Sequence, residues 1–395
     1  MPTALIAGGG IAGLATGLAL VRDGWRVRLY EQTPSVSEVG AGLQLSPNAC
    51  KALAHLGVLE AVEKVAFRPA NAVLRDGATG AEIYRAALGV DAEARWRAPY
   101  LHVHRADLHA VLLHAAVAEG VEIGTGTRAE RAVERPGGIA FHLEDDRIIE
   151  GDLAIGADGI HSRLRAAVNP DEKPRFTGQV AWRALVPASA LPEGVVAPDA
   201  TVWAGSGQHL VTYYVRGGEL VNLIAVREQE DWAEEGWRIP GDSDQLRAAF
   251  DGWHSDVLTL LSEVNECFLW GLFDRPEQVR WARGRLALVG DAAHPMLPFM
   301  AQGAAMALED SVTLARHLKG ADSAEALTQW EDERFPRVTK VLQTSQANGR
   351  LFHQRPGASR TLRRGVISTV SGFMPGLAAG RLDWLYGFDP VKGPR

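Results

Sequence analysis

The glycine run near the N-terminus limits the fold more than any other feature of the chain. Gly8-Gly9-Gly10-Ile11-Ala12-Gly13 matches G-x-G-x-x-G, and it lies between an apolar run, Ala4 to Ala7, and a helical pattern from Ile11 to Asp23. Arg26 to Tyr30 then reads as a second strand, so the chain opens as a βαβ unit of a parallel sheet. Each glycine has a steric reason. Gly8 permits the tight turn, Gly10 lets the backbone approach a pyrophosphate, and Gly13 allows the helix to pack closely on the sheet. The start of the helix, with Ile11 and Ala12 in its first turn, offers N–H donors and positive potential to that anion. Glu31 ends the second strand, where it is placed to accept hydrogen bonds from an adenosine ribose. The pattern predicts a bound dinucleotide and does not choose between NAD and FAD.

No charged residue occurs from Met1 to Val21, yet a membrane span or signal peptide is a poor reading. The stretch has no basic leader and is broken by Gly8, Gly9, Gly10, Gly13 and Gly17, as a buried strand, turn and helix require. A length of 395 residues allows two or three domains with a substantial core. Lys+Arg 41 against Asp+Glu 48 gives a net charge of -7, without the concentrated positive field that a nucleic-acid partner demands. The two cysteines, Cys50 and Cys267, are too few and too isolated for a disulfide framework or a thiolate metal cage. A soluble cytoplasmic protein without a metal site is expected.

Further along, a helical pattern follows Arg105 through Leu108, Leu112, Leu113 and Val117. Val121 to Asp158 alternates like a β-meander, with a turn at Gly137-Gly138 and an apolar ending, Leu153-Ala154-Ile155. From about Arg175 to Phe273 the character changes to strands such as Gln179 to Pro187, Ala200 to Ala204, His209 to Arg216 and Val221 to Val226. Arg285 to Val289 restores the buried parallel-strand signature, and Ala304 to Leu318 has helical spacing, so a second, largely antiparallel sheet is inserted into the first domain.

Two later segments decide between the nucleotides. Gly156-Ala157-Asp158-Gly159-Ile160-His161-Ser162-Arg163 follows a strand and heads an expected helix, and Gly290-Asp291-Ala292-Ala293-His294-Pro295 follows another strand. With the glycine run, and with Trp384-Leu385-Tyr386-Gly387 near the end, these resemble the fingerprints of the single-component (group A) FAD-dependent aromatic hydroxylases, the family of para-hydroxybenzoate hydroxylase and salicylate hydroxylase. The resemblance covers nearly the whole chain. It implies an α/β fold: a Rossmann-like FAD-binding domain (1-70, 98-174 and 275-350), an inserted, mainly antiparallel β-sheet substrate domain (71-97 and 175-274), and a C-terminal helical segment (351-395).

The resemblance also implies roles. Asp291 would hold the ribityl chain of FAD, Asp158 and Gly159 would lie by the pyrophosphate and the transient nicotinamide nucleotide, and Arg105 would reach the FAD phosphates. Pro298 would shape the face of the flavin where oxygen reacts, and Gln302, Gly303 and Ala304, opening a helix, would offer N–H groups to the pyrimidine edge. The implied reaction consumes NADH or NADPH and O2 and hydroxylates a phenolic acid, salicylate-like or hydroxybenzoate-like, through a flavin C4a-hydroperoxide. His209 and Tyr213, four apart on a strand, point to one face. Their spacing resembles the His and Tyr at the phenol side of 3-hydroxybenzoate 6-hydroxylase and 6-hydroxynicotinate 3-monooxygenase, which makes His209 the expected base and Tyr213 its orienting partner.

Leu297-Pro298-Phe299-Met300 makes the wall beside the flavin mainly apolar, unlike the Gln or His common in these relatives, so no single relative's substrate is expected to transfer. The same scaffold also serves epoxidation or ring modification of a biosynthetic intermediate, and this is the alternative. A plain NAD-dependent dehydrogenase fits the paired Asp158 and Asp291 segments poorly, and a non-enzymatic nucleotide-binding module predicts no oxygen uptake. The chain is expected to act as a monomer or homodimer with small-molecule partners only.

Overall fold

A computed structural model describes residues 1–35, 41–170, 174–230, 239–275, 280–354 and 380–393. Strand Thr3–Ala7, helix Ile11–Arg22 and strand Arg26–Tyr30 form the expected βαβ unit. Thr3–Ala7 pairs in parallel with Arg26–Tyr30 on one side and Leu153–Gly156 on the other, and Leu286–Leu288 continues the parallel sheet beyond Leu153–Gly156. Glu122–Gly124 closes one edge, and Ala282–Arg283 turns back antiparallel at the other, giving six strands. Helices cover both faces, so strand residues such as Leu5, Ile6 and Ile155 are wholly buried and the sequence reads as unbroken apolar runs.

The expected meander is only its middle part. Ala129–Arg135, Gly138–Leu143 and Ile148–Gly151 form a separate antiparallel sheet, while Glu122–Gly124 and Leu153–Gly156 belong to the parallel one. Leu153, Ala154 and Ile155 are buried on both faces, which an outer hairpin does not provide.

Eight strands make up the second large sheet, in the order Ile239–Gly241, Cys267–Asp274, Arg175–Pro187, Leu220–Glu228, Gln208–Val215, Ala200–Ala204, Asn71–Asp76, Glu82–Ala87. All pairings are antiparallel except Ala200–Ala204 with Asn71–Asp76. Helices Ser243–Ala249 and Ser255–Ser262 pack on its outer face through Leu246, Val257, Leu260 and Leu261. Its inner face meets the parallel-sheet layer through Ala181, Val226, Trp270, Leu272 and Phe299. A two-stranded ribbon, Gly42–Leu45 with Leu101–His104, slides beneath this roof. There the Gly42 N–H donates to Asn222 Oδ1 at 2.6 Å, and a Cβ on Gly42 would stand 2.5 Å from the Tyr213 ring. The C-terminal segment expected to be helical falls largely on residues 355–379, outside the described residues.

Helices Gly303–Leu318 and Ser323–Phe352 are tied by charge in the core. The buried Arg334 guanidinium donates to Asp310 Oδ1 at 2.8 Å and to Glu309 Oε2, and Arg337 donates to both Glu309 oxygens at 2.7 Å. Burial alone would raise the Asp310 carboxyl, but the charges of His294 and Arg334 outweigh it and hold the group down to about 2. Arg334→Met leaves two buried carboxylates short of a cation and is expected to cost about 3–5 kcal/mol. Urea unfolding measures this, and a loss below about 1 kcal/mol would show that the lattice relaxes without it.

Candidate active site

The glycine loop is as tight as the sequence requires. Gly8 has φ 103, a left-handed value, and a Cβ there would lie 2.3 Å from the Ala157 carbonyl oxygen. A Cβ on Gly13 would lie 1.9 Å from the Gly8 carbonyl oxygen. Gly10 precedes the helix in extended conformation and no side chain caps it, so the first-turn N–H groups, those of Ile11 and Ala12 among them, face the loop. Glu31 Oε2 accepts from Gly9 N–H at 2.7 Å and its Oε1 from Thr33 N–H at 2.8 Å, which fixes the carboxylate at the strand end. His109 Nε2 lies 2.7 Å from the Gly9 carbonyl, so helix Arg105–Ala118 braces the loop from behind.

Asp158 heads a turn and not a helix. Its Oδ2 accepts from Arg163 N–H at 2.8 Å and Leu164 N–H at 3.3 Å, and only a single 3-10 turn, Leu164–Ala167, follows. Pro170 is the reason, because it disfavours the helical region at Asn169. Oδ1 of Asp158 is buried without a hydrogen-bond partner, and burial raises the carboxyl pKa. Gly159 beside it has φ 74 and open space where a Cβ would stand. An orphaned acceptor, an uncapped helix start and a cradle that any Cβ would fill fit a dinucleotide whose pyrophosphate meets Gly10.

Arg105 is half-buried at the start of its helix. Asp291 sits in the 3-10 turn Gly290–Ala292, directly after strand Leu286–Leu288. The Gln302 side chain is taken up structurally: it donates to Ser46 Oγ at 2.9 Å and accepts from Asn48 Nδ2 at 3.1 Å. The backbone of Gly303 and Ala304 opens helix Gly303–Leu318, after Ala301 in a left-handed conformation, φ 51.

A cavity of about 100 Å³ lies between the loops and the roof, lined by Asp291, Pro298, Ile160, His161, Arg183 and Trp270 among others. This is on the scale of the roughly 150 Å³ void known to take up benzene. Arg183 stacks on the Trp270 ring, 3.7 Å from guanidinium to centroid. Burial, and then the Arg105 charge, pull the Arg183 guanidinium down to about 9. Sequence reading missed both residues. The available signal was a single charge within Val180-Ala181-Trp182-Arg183-Ala184-Leu185-Val186, an otherwise apolar strand where a buried cation needs a reason.

His209 and Tyr213 share the inner face of the roof, but neither lines this cavity. Cross-strand register pairs Trp270 with Ala181, Ala181 with Val226 and Val226 with His209, so His209 ends the row that Trp270 begins. The Phe299 ring, 5.4 Å from that of His209, stands in front of it. Tyr213 packs on the His102 ring at 4.7 Å and on Gly42, and burial raises its phenol pKa. Among the described residues no cluster of His, Cys, Asp and Glu is arranged to hold a metal ion, and no helix is long and apolar enough to cross a membrane.

The model of the FAD-binding domain family matches residues 1–345. The chain belongs to that family. It is 38% identical over 98% of its length to the 3-amino-4-hydroxybenzoate 2-monooxygenase PtnB3 of Streptomyces platensis, covering 96% of that protein. It is 37% identical over 88% of its length to the 6-hydroxynicotinate 3-monooxygenase of Bordetella bronchiseptica, covering 91% of it. The crystal structure of Klebsiella pneumoniae HpxO complexed with FAD and uric acid superposes with a TM-score of 0.84 at 26% identity, over 100% of this chain and 97% of that one. The protein is thus an enzyme, an FAD-dependent monooxygenase of the aromatic hydroxylase type. Gly13→Ala places a methyl into the Gly8 carbonyl and is expected to cost about 1–3 kcal/mol of overpacking, taken from FAD binding. Flavin absorbance per purified chain reports it, and full occupancy would refute the close-packing role.

Proposed function

We propose that this chain hydroxylates a single-ring phenolic acid, held between Arg183 and His209 beneath the roof sheet. One observation carries the reading: Arg183 and His209 lie on the same face, two strands and two residues apart, about 12 Å between Cα atoms by strand geometry. A guanidinium and an imidazole reaching inward from those positions leave room for one ring with a carboxylate at one end and a hydroxyl at the other. In the relatives named above the substrates are an aminohydroxybenzoate and a hydroxynicotinate, each of that form.

FAD, when bound, supplies electron uptake from NADH or NADPH and the activation of O2. The residues fitted to hold it are Gly8, Gly10, Ile11, Ala12 and Gly13 at the pyrophosphate and Glu31 at the ribose. Arg105, Asp158 and Gly159 serve the phosphates, Asp291 the ribityl chain, and the helix start at Gln302, Gly303 and Ala304 the pyrimidine edge. Pro298 and Phe299 make the dry wall that keeps water from the reacting face. Arg183 orients the acid by a charge-assisted, bidentate contact. His209, whose burial keeps the imidazole neutral well below its ordinary pKa, takes the phenol proton once Phe299 turns aside, and Tyr213 steadies the anion. The division into nucleotide and substrate domains follows the two sheets, with residues 71-97 and 175-274 forming the roof. The chain acts in the cytoplasm, as its two buried free thiols suit, as a monomer or homodimer.

The test is oxygen uptake and product mass for the purified yellow protein with NADH or NADPH and 3-amino-4-hydroxybenzoate, 3-hydroxybenzoate, salicylate or 6-hydroxynicotinate. Nicotinamide consumption coupled to a hydroxylated product supports the reading, and hydrogen peroxide alone with every acid sinks it. Arg183→Gln is expected to raise KM for the acid about ten- to a hundred-fold while leaving the corresponding carboxamide nearly unaffected. An equal loss for both would assign Arg183 to packing. His209→Ala is expected to slow hydroxylation about a hundred-fold with FAD still bound, and full coupled turnover would remove His209 from the reaction.

A further inference from the structure

His209 is not isolated behind Phe299. Its Nδ1 lies 2.7 Å from Nε2 of His353, the residue that ends helix Ser323–Phe352, and His353 Nδ1 lies 3.2 Å from Glu228 Oε1. Both imidazoles are buried, at 1% and 6% exposure, whereas the Glu228 side chain is 46% exposed. The backbone fixes the three together: Gly207 N–H donates to the His353 carbonyl at 3.2 Å, and Glu228 N–H donates to the Gly207 carbonyl at 2.9 Å. Among the described residues, the groups facing His353 are His209, Glu228 and the Phe299 ring, and those facing His209 are His353, Phe299 and Phe352. The row therefore runs from the inner face of the roof to water.

We propose that His353 and Glu228 form a proton exit for the phenol of the bound substrate, with His209 as its inner end. The inference rests on the reading of His209 as base. Its logic is the tautomer order that a carboxylate imposes. A carboxylate accepts only, so His353 must present Nδ1–H to Glu228, which leaves its Nε2 as an acceptor. That nitrogen in turn accepts Nδ1–H from His209, and the lone pair of His209 Nε2 is then bare on the side toward the site. When the phenol O–H breaks, its proton bonds to His209 Nε2, the Nδ1 proton of His209 passes to His353 Nε2, and the Nδ1 proton of His353 passes to Glu228. One proton enters, one leaves, and a phenolate remains. No imidazolium has to persist in the interior, which matters because burial disfavours the charged form of both rings. The charge that escapes appears where solvent reaches it.

The measurement is proton release in lightly buffered holoenzyme with an indicator dye, followed in a stopped-flow instrument on mixing with 3-amino-4-hydroxybenzoate without nicotinamide. In the native protein, release should accompany binding. His353→Ala is expected to slow release roughly ten-fold or more, with the FAD spectrum and ligand affinity kept, and free imidazole should restore part of the rate. Glu228→Gln, a change at an exposed side chain, should slow release at every pH and remove the slowing on acidification that the native protein shows as its final acceptor becomes protonated. His353→Ala and Glu228→Gln releasing protons at the native rate, while His209→Ala does not, would overturn the relay and leave the base standing. His209→Ala releasing at the native rate would overturn the base itself, and the relay with it.

Discussion

The buried lattice of Glu309, Asp310, Arg334 and His294 is the constraint on which the site depends. Asp310 Oδ2 accepts from the Gly290 N–H at 3.0 Å and faces His294 Nε2 at 2.6 Å, so the turn that carries Asp291 is pinned to the helix behind it. Glu309 Oε1 accepts from Asn48 Nδ2 at 2.7 Å, and Asn48 also donates to Gln302. The same few charges thus set the turn before the cavity, the start of the helix after it, and helix Pro47–His55 beneath. Such a lattice offers little net stability over well-packed apolar residues, since desolvation offsets most of the attraction. What it gives is one geometry. Any alternative packing of the two helices strands a carboxylate or a guanidinium without water, so the loops of the site inherit a fixed position.

Above that floor, the roof sheet contributes charge where the cavity is dry. Arg183 and Arg105 raise the potential of a region walled by Trp270, Leu272, Leu297 and Pro298, and low polarity strengthens their hold on an anion. Contacts that cross between roof and floor are few and specific. Asp107 pairs with Arg216 at 3.0 Å, and the Gly42 N–H meets Asn222. Tyr213, read from sequence as a partner in the chemistry, also fills the notch left by Gly42, so its burial has a packing reason beside any catalytic one.

What could be read from the chain alone was local. The glycine run, the apolar strands and Glu31 announce themselves because turn sterics and two-sided burial act over a few residues. The helix expected after Asp158 did not form, since Pro170 was outvoted in the reading by the apolar pattern before it. Gln302 was identified for its backbone, and its side chain turned out to belong to the lattice with Ser46 and Asn48. Phe299 was legible as apolar, but nothing in the sequence shows that it shields His209. His353 was invisible for a different reason. Its partners, His209 and Glu228, lie far away along the chain, and only cross-strand register together with the end of a thirty-residue helix brings them to one row. Arg183 was within reach, as a charge in an apolar strand.

The strand order has a consequence for how the protein is made. Leu153–Gly156 has Thr3–Ala7 on one flank and Leu286–Leu288 on the other, and every strand of the eight-stranded sheet lies between the two in the chain or earlier. A ribosome delivers the last roof strand, Cys267–Asp274, before it delivers Leu286–Leu288. Until then the flank of Leu153–Gly156 is an open parallel edge, an adhesive surface for any extended peptide nearby. The nascent chain completes its roof first and its nucleotide bed last, so the interval between those two events is when it is most exposed to aggregation.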